Sequence, residues 1–420
     1  MLLRRSTLVS LLVSSLAVIA TAATGCASSA GSDEGVGSAT GADSIQPFED
    51  PEHLLGSVSR TLADNITEAD IGQTFGTPDA TVPYPDTYWP MTEDGINAQW
   101  NNGEASPLQK YMSMADSASS AAAIAWNSTN SGKAYPGVQD WFGICHGWTG
   151  AATSEAPMKH AVYARTSGDT VSACDASEVG QDGCTKFEIG DLNALMATIY
   201  ADGGSKFIGA RCDTSPNNIK RDTDGRIDRT ANGTGCKGLN PGSLMIVLAH
   251  RMKRDQKPMA IDAQADYNTD QIWNQPAYRY TVNDFKKIDE ATATNYVQNG
   301  NRSAGTSYRW NEAAKGFVFV DISVHWVSEH GPNTTFFSGL DSTHETRMSA
   351  VLELDKPSSD AAASIIGGEL LEDGSSSTTR LQNHPFVWLS TGPGNNTGNS
   401  GHNPYVKTTV VQQLMALGRL

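Results

Sequence analysis

The sequence predicts an α+β fold in which helices come early in the chain and strands come late. Residues 187–202 carry apolar side chains at helical spacing, whereas residues 317–327 form an apolar run typical of a buried strand. Further helices are expected within 47–80, over 112–127 and from within 140–153. Further strands are expected at 243–250, 258–262, 349–355, 364–371 and 385–390.

The length and the charge limit the domain organisation and the partners. Residues 47–420 exceed the size of a typical single core, so we expect one elaborated domain, with a helical part over 47–205 and a strand-rich part over 240–420, or two domains. The formal net charge of −16 argues against a nucleic-acid partner, which requires a basic face. No organic cofactor is expected.

The first 46 residues predict export rather than a folded element. Arg4 and Arg5 precede an uncharged apolar run, and small residues lead into Cys26. This pattern is typical of a lipoprotein signal peptide over 1–26, with a lipid on Cys26 and a flexible Gly/Ser/Asp tether over 27–46. The alternative is an ordinary secretory signal. The protein is therefore expected at the bacterial cell envelope, anchored to the membrane by lipid, or secreted.

The chain has six cysteines, and they divide by context. Cys26 is the predicted lipidation site, and Cys145 lies in a motif of its own. The other four are even in number, as expected for two disulfides in an exported protein: Cys174, Cys184, Cys212 and Cys236. Pairing the first with the second and the third with the fourth is the simplest of the three connectivities. A zinc site is the alternative, but no C-x-x-C spacing is present.

Cys145 is the main candidate for chemistry. It lies in DWFGICHGWTGAAT (140–153), a stretch typical of a buried helix start, where the helix dipole favours a thiolate. Gly143 and Gly147 are expected to admit a substrate backbone, and Trp141 and Trp148 to wall a groove. An inert buried thiol remains the alternative interpretation.

Several further motifs share an order with a known family. The sequence resembles the transglutaminase elicitor family, the oomycete cell-wall transglutaminases and their bacterial relatives, over roughly residues 84–392. The motifs that carry the resemblance are YWPMTEDGIN (88–97), SPLQKY (106–111), WFGICHGWTGAA (141–152), FEIGDLNALMATIY (187–200), RC (211–212), NPG (240–242), IWNQPAYRY (272–280), IIGGEL (365–370) and NHPFVWL (383–389).

The resemblance implies both a fold and a reaction. The fold would be a papain/transglutaminase-like core with the cysteine-bearing helix packed on a mainly antiparallel sheet. The activity would be a calcium-dependent or calcium-assisted protein-glutamine γ-glutamyltransferase, with Cys145 attacking a glutamine amide and a lysine amine taking the acyl group. The partners would be proteins or peptides that present glutamine and lysine. Because an amide is a poor electrophile, this chemistry needs a thiolate, a base and oxyanion donors.

The general base is harder to assign. Where the resemblance calls for a histidine after NPG, this chain has Met245. His250 is a candidate, although five residues along a regular strand it would point to the opposite face. His384 in NHPFVWL is the other candidate. His146 matches the family but neighbours Cys145 on the same helix, and adjacent helical residues do not face each other.

Three further residues are candidates for roles around the thiol. Asp262 ends a predicted strand, where a third member of a catalytic triad would lie, and an ordinary strand-end carboxylate is the alternative. Trp273 and Asn274 in WNQP either shape the acceptor groove or pin a turn before Pro276. The structural role of this pair is favoured.

A calcium loop is the remaining metal hypothesis. Residues 220–231 place Asp222, Asp224 and Asp228 at ligand positions of a twelve-residue EF-type loop. A lysine and an alanine occupy the first and last positions, where acids are required, so a plain Asp/Gly turn is the alternative. Calcium is thus a possible cofactor.

Two other functions remain open from the sequence. A cysteine peptidase or deamidase on the same core shares the acyl-enzyme and differs only in whether water or an amine attacks. A non-catalytic binding lipoprotein would keep the fold without a general base, and Met245 is the residue that favours it.

Overall fold

A computed structural model describes residues 44–211, 218–220, 227, 234–263, 271–298, 307–371, 386–395 and 401–419. The predictions for Cys26, Cys212, His384 and the three aspartates of the 220–231 loop lie outside these residues, as do the signal peptide and most of the tether. Among the residues described, no helix is long and apolar enough to cross a membrane.

Short helices cover the first half of the chain, and long strands fill the second. The described α-helices are α1 (Pro51–Leu55), α2 (Leu62–Asn65), α3 (Pro107–Ala115), α4 (Ser120–Asn130), α5 (Cys145–Ala152), α6 (Ile189–Ala201), α7 (Pro241–Leu248), α8 (Glu290–Val297) and α9 (Thr408–Arg419). A π-helical turn, Ala249–Arg254, continues α7. Single 3₁₀ turns lie at Pro47–Glu49, Glu68–Asp70, Asp79–Thr81, Met91–Glu93, Gly95–Asn97, Ser117–Ser119, Ala176–Glu178, Thr234–Lys237 and Gly339–Asp341.

The described strands form two sheets with antiparallel pairing throughout. They are β1 (Thr74–Gly76), β2 (Val162–Ser167), β3 (Thr170–Ala173), β4 (Thr185–Phe187), β5 (Gly204–Gly209), β6 (Met259–Asp262), β7 (Asn274–Ile288), β8 (Gly316–Val327), β9 (Thr343–Leu354), β10 (Ile365–Leu370) and β11 (Phe386–Gly392). The main sheet has eight strands in the order β10-β9-β8-β7-β6-β11-β5, with β1 also paired to β7. The small sheet has the order β3-β2-β4. The predicted α+β fold, with the cysteine helix packed on a mainly antiparallel sheet, is confirmed.

Strand β6 shows how the main sheet separates two cores. Alternate residues of a strand point to opposite faces. Ala260 belongs to the apolar cluster that contains Cys145, whereas Met259 and Ile261 belong to the larger cluster that contains α7. We call the first side of the sheet the thiol face and the second the α7 face. Helix α5 packs against β7 and β11 on the thiol face.

Segment 243–250 is a helix, so the strand prediction there is wrong. An apolar run without polar alternation does not distinguish a buried strand from a buried helix. The residues just before the run decide the outcome. The Asn240 side chain accepts a hydrogen bond from Gly242 N at 2.8 Å, and Pro241 occupies the first helical position. Both are standard helix-start signals. Helix α7 is buried along its whole length, which explains why the run has no polar face.

The other predicted elements differ mainly in their bounds. The predictions at 187–202, 258–262, 317–327, 364–371 and 385–390 are confirmed as α6, β6, β8, β10 and β11, and 349–355 is the end of the longer β9. The predicted helix at 112–127 is two helices, because Asp116 ends α3 and its carboxylate accepts a hydrogen bond from Ser119 N in the turn before α4.

Helices α5 and α6 approach each other closely at Gly147. A Cβ atom at this position would overlap the carbonyl oxygen of Ala197 in α6. The prediction that Gly147 admits a substrate backbone is therefore wrong, because the chain's own helix α6 occupies that space. The contact fixes α5, and hence Cys145, against a helix whose residues are all buried.

Gly147→Ala tests this contact, with Gly150→Ala on the same helix as the matched control. An added methyl group at position 147 forces the two helix backbones apart, and we expect a loss of unfolding free energy of about 1–3 kcal/mol. At Gly150 the nearest atom to the new Cβ is a Trp388 ring carbon at 3.4 Å, which is ordinary contact. Urea denaturation of the two variants should separate them. Equal stabilities would refute the close approach.

Candidate active site

Cys145 is the first residue of α5 and is fully buried, with 0% of its surface exposed. The preceding residue, Ile144, makes no side-chain cap at the helix start. The thiol therefore lies at the positive end of the helix dipole, where a thiolate is favoured. The predicted helix start at this cysteine is confirmed.

Aromatic side chains form much of the wall around the thiol. The buried members of the Cys145 cluster are Ala260, Ile272, Phe386 and Trp388, and the partly exposed ones are Tyr88, Trp141 and Phe207. Tyr88 and Trp273 meet edge to face, with ring centroids 5.2 Å apart. The cluster opens to the surface through its aromatic members, which gives this side of α5 an apolar approach.

Trp148 does not wall a groove, contrary to expectation. It is fully buried in a separate core, and its indole Nε1 donates a hydrogen bond to Tyr84 O at 3.1 Å. Trp141 does lie beside the Cys145 cluster. The two tryptophans lie seven residues apart, one in a turn and one in a helix, and they pack in different clusters.

Asn274 is a polar residue that the structure places against the thiol. Its Nδ2 lies 3.6 Å from Cys145 Sγ, and its Oδ1 accepts a hydrogen bond from Trp388 Nε1 at 2.8 Å. Because an indole only donates, this bond assigns Oδ1 to the Trp388 side and turns the amide donor toward sulfur. The Asn274 backbone oxygen also accepts from Thr149 Oγ1 at 2.8 Å. Sequence reasoning favoured a purely structural role here and missed this contact.

Asp262 lies on the same face as Asn274. It ends β6 as predicted, it is 3% exposed, and it is the register partner of Asn274 on β7. Directly opposed residues of antiparallel strands point to the same face of a sheet. Its Oδ1 accepts a hydrogen bond from Trp273 N at 3.0 Å. The carboxylate thus braces the turn into β7 on the thiol face.

The two candidate bases have different outcomes. His250 lies in the π-helical turn, where its Nε2 is 3.1 Å from Ser59 O. Its neighbours Ala249 and Met252 belong to the cluster on the α7 face, so the sheet stands between His250 and the thiol. The structure therefore does not bring His250 to Cys145. Met245 belongs to the same α7-face cluster. His384 lies outside the described residues.

The segment before α5 is held by the backbone of residues 88–91. Ile144 N donates to Tyr88 O at 2.7 Å, and Met91 N donates to Phe142 O at 2.8 Å. A Cβ atom at Gly143 would overlap Tyr88 O. The prediction that Gly143 admits a substrate backbone is wrong, because the chain itself fills that position.

The cysteine predictions are partly confirmed. Cys174 and Cys184 form a disulfide with a Cα–Cα distance of 6.2 Å. Cys236 is also disulfide-bonded, and its partner lies outside the described residues. Cys145 is a buried thiol and belongs to neither disulfide. Within the same residues, no group of three or more His, Cys, Asp or Glu side chains is arranged to hold a metal ion.

A buried carboxyl group, Asp86, and a half-buried one, Glu329, lie near the segments that carry Tyr88 and Asn274. Burial raises the pKa of Asp86 to about 8, helped by the nearby Glu329 carboxylate and opposed by a hydrogen bond from Trp89 Nε1. Burial also raises the pKa of Glu329 to about 7, opposed by a 3.2 Å hydrogen bond from Gln275 Nε2. Gln275 follows Asn274 on β7. Asp86 and Glu329 therefore connect the segment that contains Tyr88 to the strand that carries Asn274.

Asp86→Asn should change the pH dependence of stability. Wild-type Asp86 holds its proton in the folded state up to a pKa of about 8, whereas the unfolded chain releases it near 3.8. The wild type therefore loses stability as the pH rises between these values. The variant lacks that loss, so its unfolding free energy relative to wild type should rise by a few kcal/mol between about pH 5 and about pH 8.

Urea denaturation at several pH values measures this difference. The exposed Glu52→Gln is the matched control, because it removes one carboxylate without changing a buried one. A difference between Asp86→Asn and wild type that stays constant with pH would show that Asp86 ionises normally.

Trp388→Phe tests the orientation of Asn274. Phenylalanine keeps an aromatic ring in the cluster but has no donor for Asn274 Oδ1, so the amide loses its fixed direction toward Sγ. A hydrogen bond to a thiolate lowers the thiol pKa, so its loss should raise that pKa. We therefore expect the midpoint of the pH profile of the rate of Cys145 alkylation by iodoacetamide to move up by about one pH unit. Trp148→Phe loses a comparable indole hydrogen bond away from Asn274, and its midpoint should not move. Identical midpoints would exclude the Asn274 contact.

Comparisons with known proteins concern the fold and the family. No curated protein matches the chain. The crystal structure of the GP42 transglutaminase from Phytophthora sojae matches with a TM-score of 0.60 and 21% identity, over 89% of this chain and 98% of that one. At this identity the likeness concerns the fold. The sequence model of the family called transglutaminase elicitor matches residues 68–124 and 114–400, which is most of the chain. The protein is therefore a member of the transglutaminase elicitor family.

Proposed function

We propose that this protein is an exported protein-glutamine γ-glutamyltransferase that works through an acyl-enzyme on Cys145. The observation that carries the proposal is the Asn274 amide, 3.6 Å from a thiol at a helix start. Membership of the family supports protein or peptide substrates with glutamine and lysine side chains.

The reaction would run in two balanced halves. The Cys145 thiolate attacks the γ-carbonyl carbon of glutamine, and the tetrahedral adduct collapses to a thioester as a protonated base gives its proton to the departing ammonia. A lysine amine then attacks the thioester, loses a proton to the same base and expels the thiolate. An isopeptide bond remains, and the enzyme returns to its starting state.

The residues around Cys145 can take separate roles in these steps. The Asn274 amide can donate to the thiolate and, after attack, to the oxyanion that forms within reach of the same group. We propose His384 as the base, because the structure does not bring His250 to the thiol. Asp262 lies on the thiol face and would orient the base, as the carboxylate of a triad does.

The burial of the thiol favours an amine over water as the acyl acceptor. Cys145 is 0% exposed and surrounded by apolar side chains, and a site that excludes water protects a thioester from hydrolysis. The deamidase alternative lacks such support. The non-catalytic alternative rested on Met245, but that residue lies in the cluster on the α7 face and not beside the thiol.

Export of the protein and binding of calcium are further proposals, and neither supplies a step of the reaction described above. We propose that a lipid on Cys26 holds the protein at the cell envelope through the tether. The predicted calcium ligands Asp222, Asp224 and Asp228 lie outside the described residues. No step is therefore assigned to a metal ion.

Incorporation of a labelled primary amine into a glutamine-rich protein tests the proposal directly. Wild type should incorporate the amine, and Cys145→Ala should abolish incorporation because no acyl-enzyme can form. Removing a general base lowers rates by about 10²–10⁴-fold, so His384→Gln should fall in that range. His250→Gln is the matched control and should keep full activity. The same assays with calcium and with a chelator test the cofactor.

Three results would contradict the proposal in distinct ways. Ammonia release without amine incorporation would identify a deamidase. Loss of activity in His250→Gln but not in His384→Gln would identify His250, and not His384, as the general base. Absence of both amine incorporation and ammonia release, with Cys145 unreactive toward alkylation at neutral pH, would identify a non-catalytic binding protein.

A further inference from the structure

A small pocket separate from the thiol lies where four parts of the chain meet. It is lined by the Tyr84–Asp86 segment, by Pro157 and Met158 after α5, by Ile189 and Asn193 of α6, and by residues of the 331–337 loop after β8. The free space is about 10 Å³, enough for one group the size of a water molecule. None of the lining residues belongs to the Cys145 cluster.

Three oxygen atoms of the lining residues have no hydrogen-bond partner. They are the Tyr84 hydroxyl, Asp86 Oδ1 and Asn193 Oδ1, on residues that are 3%, 1% and 7% exposed. Burying such atoms without a partner is costly. A primary ammonium group is the size of a water molecule and brings three donors and no acceptor, which matches three acceptor oxygens. A water molecule brings only two donors.

The charges around the pocket favour a cation. Asp86 lines it, and the carboxylate of Glu329 is close enough to raise the pKa of Asp86. In the described part of the chain, no lysine or arginine forms an ion pair with either carboxylate. Burial and the charges of Asp86 and Glu155 raise the pKa of Tyr84, so its hydroxyl stays neutral; Arg419, which is ion-paired with Glu155, opposes this rise. The buried carboxylate of Asp86 in the pocket, and the half-buried carboxylate of Glu329 near it, favour a cation when they ionise.

The apolar walls distinguish an organic cation from a metal ion. Met158, Phe336 and Phe337 line the pocket, and Phe336 is 43% exposed at the surface. The ammonium of Lys159 already lies over the Phe336 ring, 4.3 Å from its centroid. This is the geometry of a cation–π contact. A metal ion prefers more oxygen ligands than one carboxylate, one amide and one phenol. Aliphatic and aromatic walls instead suit an alkyl chain behind an ammonium head.

We propose that this pocket binds a primary alkylammonium group, as carried by a lysine side chain or a free polyamine. Asp86 Oδ1, Asn193 Oδ1 and the Tyr84 hydroxyl accept its three hydrogens, and Phe336 and Met158 contact its alkyl chain. An amine held here is not the acyl acceptor, because the pocket shares no residue with the Cys145 cluster. The site therefore goes beyond the proposed transferase reaction and serves to dock an amine-bearing partner.

Calorimetry with n-butylammonium chloride tests the proposal in the full chain carrying Cys145→Ala, so that no acyl transfer consumes the ligand. Binding needs the ionised form of Asp86, whose pKa is about 8 in the free protein. The affinity should therefore rise about tenfold for each pH unit from about pH 6 and level off above about pH 8. 1-Butanol, which has the same alkyl chain and no charge, should not bind.

Variants separate the pocket from general charge effects. Asp86→Asn replaces a carboxyl group by an amide of the same shape and should weaken binding at least about tenfold, with loss of the pH dependence. Glu52→Gln removes one exposed carboxylate elsewhere and should leave the affinity unchanged. A second comparison, Nα-acetyl-lysine methylamide against cadaverine, distinguishes a protein lysine from a free polyamine as the source of the ammonium group.

Four outcomes would overturn the proposal. Equal binding of 1-butanol would show an apolar pocket, and stabilisation by calcium or sodium chloride without binding of the amine would show a metal site. Undiminished binding to Asp86→Asn would place the amine elsewhere. No binding of the amine at any pH would mean that the pocket holds only water. Because the assay uses Cys145→Ala, none of these outcomes depends on the transferase activity.

Discussion

The fixed position of α5 against the main sheet is the constraint on which the candidate site depends. Three contacts fix it: Ile144 N donates to Tyr88 O, Gly147 lies against the backbone of α6, and Thr149 Oγ1 donates to Asn274 O. All three reach a backbone oxygen of the partner segment, and only the third uses a side chain of α5. The direction of the helix, and with it the position of Cys145 Sγ, is therefore set mainly by backbone geometry.

The same constraint explains why the region around Cys145 is rich in glycine. The sequence suggested that Gly143 and Gly147 make room for a substrate, and small residues beside a nucleophile invite that interpretation. In the structure both make room for the protein itself, at Tyr88 and at Ala197. The sequence pattern correctly identified a close approach of two backbones. It contained no information on which backbone approaches.

Local patterns predicted most of the fold, and the exceptions have physical causes. Helix α6 and strands β6, β8, β10 and β11 follow from their own residues. Helix α7 does not, because burial on all sides removes the polar positions from which a period is read. Strand β7 was missed because its first residues, Asn274, Gln275 and Pro276, are poor strand formers. They are held in the sheet by antiparallel pairing with β6, the preceding strand, and not by their own strand propensity.

The residues of the candidate site likewise fall into those that local sequence predicts and those that depend on contacts with distant parts of the chain. Cys145 and the strand-end position of Asp262 could be predicted, since a helix start and a strand end are local features. The amide of Asn274 could not, since its direction depends on Trp388, which is 114 residues away along the chain. His250 was misplaced for a related reason: a strand was assumed where the chain forms a helix on the α7 face. Long-range pairing, more than local propensity, determines which polar groups meet the thiol.

Full burial of Cys145 is compatible with catalysis only if its cover can open at a modest free-energy cost. Of the described residues, Tyr88 and Trp273 form the outer aromatic pair, and the Tyr88 hydroxyl donates to Asp140 O at 2.9 Å. Separating an edge-to-face pair costs about 0.5–1.5 kcal/mol, and a hydrogen bond contributes about 1 kcal/mol net. A bound peptide that buries one large apolar side chain recovers about 1.5–3 kcal/mol. Substrate binding can therefore supply the free energy needed to separate Tyr88 from Trp273. When no substrate is present, this aromatic cover stays closed and protects the thiol from water.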